Sequence, residues 1–73
     1  MEHCIVTKTI FVRTIRAALS EAQKYGVKPS YGSLASAMNR RQQPEYPIPK
    51  YDLHLKFERV KEGVKISIFN GYC

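Results

Sequence analysis

Pro44, Pro47 and Pro49 fall within six residues of one another and divide the chain into two stretches with different hydrophobic periods. A proline lacks the amide hydrogen and has a fixed φ, so no helix runs through residues 42–50 (QQPEYPIPK), which read as an extended, polyproline-like connector. Before it, apolar residues recur at helical spacing. After it, they alternate.

Over residues 9–25, at about 100° per residue, Phe11, Ile15, Ala18, Leu19, Ala22 and Tyr25 share roughly 120° of arc. Arg13, Arg16, Ser20, Gln23 and Lys24, with Thr9, lie nearly opposite. The pattern predicts a first helix with one face to bury and one cationic face, capped by Thr7 or Thr9 and stopped by Gly26 as the C′ residue. Ser30 is placed to cap a second helix over residues 31–41, with Tyr31, Leu34, Ala35 and Met38 on one face and Ser33, Ser36 and Arg40 opposite. Two amphipathic helices joined by a short turn pack as a pair. Residues 3–8, from His3 and Cys4 to Lys8, are β-prone and form either a short strand added to the sheet or the lead into the first helix.

From residue 51 to residue 70 the period is two. Tyr51, Leu53, Leu55 and Phe57 alternate with Asp52, His54, Lys56 and Glu58; Val64, Ile66 and Ile68 alternate with Lys65, Ser67 and Phe69. This predicts an antiparallel β-hairpin turning around Lys61, Glu62 and Gly63. Keeping one wall apolar requires an even loop, either Glu62-Gly63 or Val60 to Gly63, since an odd one sets Glu58 against Ile66. In the longer loop's register, His54 lies opposite Phe69.

The expected fold is therefore one α+β domain over residues 1–73: two N-terminal helices packed on a C-terminal antiparallel hairpin. The first helix is expected to cross the hairpin's apolar wall, centred on Ile15, Leu19, Leu55, Phe57, Ile66 and Ile68. At 73 residues the core is near the size at which burial only just outweighs chain entropy, and a homodimer would add burial. No strictly apolar run exceeds three residues, so neither a membrane span nor a secretory signal is expected. Two cysteines, Cys4 and Cys73, cannot make a disulfide framework, which points to a reducing cytoplasm.

Charge carries what functional signal there is. The net +6 sits in residues 8–41, where seven bases face the single acid Glu21. Such a field favours a polyanion. Arg13 and Arg16 one helical turn apart, Lys24 further along the same side, and Arg40 and Arg41 at the end of the second helix are the candidate contacts to DNA or RNA phosphates. Arg40 and Arg41 also suit the negative end of a helix dipole. A second candidate face is His54, Lys56, Lys65 and Phe69 on the hairpin's outer side, where an aromatic among bases could stack a nucleotide base, although a Phe on a polar face is more often covered by another element, here the N-terminal strand or a second subunit.

Ser30-Tyr31-Gly32-Ser33-Leu34-Ala35 resembles the Tyr-Gly-x-x-Ala opening of the winged-helix part of alkyltransferase-like proteins over about six residues. No Pro-Cys-His-Arg follows, and prolines stand where a recognition helix belongs, so alkyl-transfer chemistry is not implied. Arg41 to Pro47 matches the R-x-x-P-x-x-P arrangement read by SH3-type grooves, but a segment pinned at both ends is a connector. His3, Cys4, His54 and Cys73 have no metal-ligand spacing, and no cofactor or catalytic motif is present. The expected role is a small non-catalytic nucleic-acid-binding module. The alternatives are an inhibitor or adaptor whose cations meet an acidic protein, with Phe69, Tyr46 or Tyr72 as anchor, and a basic ribonuclease using His54 with Lys56 or Arg59.

Overall fold

A computed structural model of the chain describes residues 5–70, with Ile5 described by its backbone alone. His3, Cys4, Tyr72 and Cys73 lie outside these described residues. The elements run β1 (Ile5–Val12), α1 (Ile15–Gln23), α2 (Tyr31–Asn39), β2 (Glu45–Ile48), β3 (Leu53–Val60) and β4 (Gly63–Asn70). The strands form one antiparallel sheet in the order β1-β4-β3-β2, an α+β architecture. The chain enters at one edge, crosses through the helix pair to the other, and returns by a meander that ends against its own first strand.

The largest departure from the sequence-based expectation is β1. Residues 9–12 are strand, not helix, and the segment extends the sheet by eight residues rather than a short added piece. Six of those eight are β-branched, and stiff side chains of that kind pack better on a pleated surface than on a helix. Thr14, not Thr7 or Thr9, is the N-cap of α1, its hydroxyl accepting from the Ala17 amide at 3.0 Å. A bulge at Thr7 lets its Oγ1 donate to the Ile68 carbonyl and shifts the alternation, so Val6 and Phe11 both stand on the sheet face away from the helices. Phe11, expected on a buried helix face, is 68 % exposed.

The rest of the helical pattern holds from residue 15 onward. Ala18 and Ala22 are fully buried, with Ile15, Leu19 and Tyr25 packed at the margin of the core. Gly26, at φ 81, lets the Val27 amide reach back to the Ala22 carbonyl and closes α1. Ser30 caps α2 through the Ser33 amide, and Leu34 and Met38 are buried, whereas Tyr31 turns out to the surface. The helix ends at Asn39, and Arg41 takes the left-handed C′ position at φ 59. An L side chain is disfavoured there by roughly 1 kcal/mol, so Arg41→Gly is expected to stabilise the fold by up to about 1 kcal/mol, read from the urea midpoint.

Within the proline-rich connector, residues 45–48 form the edge strand β2, pairing with β3 from Glu45↔Lys56 to Ile48↔Leu53. Pro47 is tolerated because an edge strand needs only one row of hydrogen bonds. Its inward Tyr46 meets Phe57 edge to face at 5.8 Å. The hairpin register is the one that sets His54 opposite Phe69, and the ladder continues to Val60↔Gly63, leaving Lys61 and Glu62 as the turn.

Leu55, Phe57, Val64, Ile66 and Ile68 make the buried wall. It is covered by both helices: α1 lies against β4 and β1, and α2 lies against β3. Among the described residues, no helix is long and apolar enough to cross a membrane.

Candidate nucleic-acid interface

The strand β1 ends beside the β3–β4 turn, because Val12 pairs with Val64 and the chain then passes over Gly63. That junction gathers cations from two separate parts of the sequence. Arg13, between β1 and α1, and Lys61, in the hairpin turn, line an open hollow of about 690 Å³ together with Phe11, Val12, Val60 and Glu62. Both also line a second hollow of about 420 Å³ on the helix side, with Arg59, Tyr31, Ile15 and Met38 among its walls.

Arg16, in the first turn of α1, sets its guanidinium 5.1 Å from the centre of the Tyr31 ring. Arg59 donates from Nη1 to Asn39 Oδ1 at 3.2 Å, which ties the strand end to the end of α2. Among the described residues no carboxylate forms an ion pair with Arg13, Arg16, Arg59 or Lys61. Glu62 is the one acid in the lining of either hollow. The result is one end of the molecule where, among the described residues, cations outnumber acids around a concave surface, and such cations suit phosphate oxygens.

No protein-family model, curated protein or solved structure matches this chain.

The five helical cations expected as one face do not form one. Arg13 precedes the N-cap and is not on a helix, so it does not stand one helical turn from Arg16; Arg16 is tied to the junction through Tyr31, which lines the second hollow with Arg13. Lys24 is at the far end of α1, paired to Glu21 at 3.2 Å. Arg40 and Arg41 are exposed at the end of α2, outside both hollows. Lys61 and Tyr31 are site residues that the sequence did not single out, and Arg59 stood out there only as the cation of a ribonuclease. The signal for Arg59 and Lys61 is the hairpin register, which places them at its tip; a helix over residues 9–14 would leave that tip without Arg13 beside it.

The second expected face is brought together but is closed. His54 stacks on Phe69 with ring centres 5.7 Å apart, and Lys56 reaches to 5.6 Å from the same ring. His54 also contacts Glu45 at 3.4 Å, and Lys65 pairs with Glu58 at 3.9 Å. Phe69 is 1 % exposed, so it is not available to stack a base. The exposed ring on this face is Phe11, the cross-strand neighbour of Lys65. His54 and Arg59 stand on opposite faces of β3, which separates one pair a ribonuclease would use. Among the described residues no three His, Cys, Asp or Glu side chains gather as a metal site would require.

Proposed function

We propose that the protein is a small non-catalytic nucleic-acid-binding module whose contact surface is the cationic end formed by Arg13, Arg16, Arg59 and Lys61. The observation that carries this reading is the convergence of Arg13, from the β1–α1 junction, with Arg59 and Lys61, from the hairpin tip, on one hollow beside Tyr31. Guanidinium and ammonium groups left without carboxylate partners suit the oxygens of a phosphate backbone, and an affinity built on them falls steeply with salt. Arg40, Arg41 and Lys24 add to the long-range field that draws a polyanion in, without forming the contact surface.

Fluorescence anisotropy with labelled single-stranded RNA, single-stranded DNA and duplex, each at low and near-physiological salt, tests the reading. Binding to at least one of them is expected, weakening at the higher salt. No binding to any at low salt would overturn it.

A second reading, an adaptor that meets an acidic protein, is favoured by one observation: Phe11 and Val6, 68 % and 51 % exposed, share the sheet's outer face. Nuclease-resistant capture of one stoichiometric protein would support it.

A further inference from the structure

We infer that the strand recognised is single, and that Phe11 and Tyr31 are stacking platforms for its bases on either side of the phosphate-binding pair Arg13 and Lys61. This rests on the nucleic-acid reading above and goes beyond it by naming the substrate class and the two residues that select it. The two hollows are one surface folded over the end of the sheet, because both are lined by Arg13, Val60, Lys61 and Glu62. Phe11 belongs to the hollow on the outer-face side and Tyr31 to the one on the helix side. A path across this end therefore meets an aromatic ring, then cations, then a second aromatic ring.

Both rings are accessible, Phe11 at 68 % and Tyr31 at 47 % exposure. The alternation of ring and cation is what a single strand requires, since each base has a π face and each phosphate a charge, and stacking tolerates any sequence. A duplex keeps its bases stacked on one another and offers these rings nothing but sugar and phosphate. The guanidinium of Arg16 against Tyr31 fixes that ring beside the hollow. Phe11 has no comparable support from the core: it projects from an edge strand on the face that carries no helix, with Lys65 across from it. A Phe in that position does nothing for the core.

The chain contains no tryptophan, so Phe11→Trp introduces a single reporter at an exposed position that folding does not depend on. Its emission is measured during titration with a short oligothymidylate, a short oligouridylate and a blunt duplex, while anisotropy of the labelled nucleic acid is followed in parallel. The expected result is tryptophan quenching that saturates together with single-strand binding and is absent with duplex. Phe11→Ala is expected to weaken single-strand binding by about 5- to 150-fold, the equivalent of one lost stacked base, and to leave duplex binding unchanged.

Single-strand binding by anisotropy with neither quenching nor an effect of Phe11→Ala would overturn the stacking assignment and leave the phosphate-binding surface standing. Absence of binding by either readout would overturn both. Quenching that grows with protein concentration alone would show Phe11 meeting a second copy, and would also overturn the assignment.

Discussion

Gly63→Ala is expected to destabilise the fold by about 3 kcal/mol, most of what a core of this size supplies. Gly63 opens β4 at φ 152, a conformation that L side chains rarely adopt. A Cβ there would stand 2.1 Å from the Val12 carbonyl oxygen and 2.8 Å from the Arg13 Cα. These are backbone atoms, with no flexible side chain to swing away, so relief requires parting β1 from β4 at the very junction that carries Arg13. The same chemical change at Gly32 is the control. That residue lies in α2 with open space around its missing Cβ, and Gly32→Ala is expected to stabilise by about 0.5–1 kcal/mol. Urea unfolding followed by far-UV circular dichroism measures both. A Gly63→Ala midpoint equal to that of the parent would mean that β1 does not press on the hairpin turn as described.

The hairpin was legible because its alternation is long and its apolar wall admits few registers; Leu55, Phe57, Ile66 and Ile68 face inward as their parity requires. The helices were legible where a cap and a stop bracket them, Ser30 at the start of α2 and Gly26 after α1. The second half of β1 was not, because Phe11 happens to fall on the arc that Ile15 and Leu19 define, and periodicity counts such a coincidence as signal; the first half lies in the β-prone residues 3–8. Local composition pointed the other way: Thr9, Ile10 and Val12 are β-branched, and Thr14 is as good a cap as Thr9.

A helical period over that segment displaces the candidate site as well, because it puts Arg13 on a helix face and Phe11 in the core. Their neighbours Arg59 and Lys61 come from a hairpin tip that only the tertiary pairing of β1 with β4 brings near. Phe69 illustrates the reverse case. Its outward position was predictable from parity, but its burial under His54 and Lys56 is a property of side-chain packing that alternation does not encode.

Replacing Arg13, Arg59 and Lys61 together by glutamine is expected to reduce single-strand affinity by about 100-fold at low salt and to flatten the plot of log affinity against log salt by about 2. The slope follows from three phosphate contacts at about 0.7 released counterions each, the value for single strands. A loss of affinity alone would be ambiguous, because removing three charges from a chain of net +6 weakens its field whatever their position. The comparison that resolves this is the triple glutamine variant of Lys24, Arg40 and Arg41, which has the same net charge but alters only residues outside both hollows. Its slope should change by much less than 2, since long-range attraction without contact releases few condensed ions.

Arg59 also donates to Asn39, so folding must be checked by circular dichroism. That hydrogen bond is exposed, however, and its removal is expected to cost well under about 1 kcal/mol. Equal slopes for the two triple variants would mean that charge is read as a diffuse field and that no local phosphate site exists at the β1–hairpin junction. A slope change confined to Arg13, Arg59 and Lys61 places the contact there. It would also explain why the fold carries β1 alongside the hairpin turn, since no other strand pairing sets Arg13 beside Lys61.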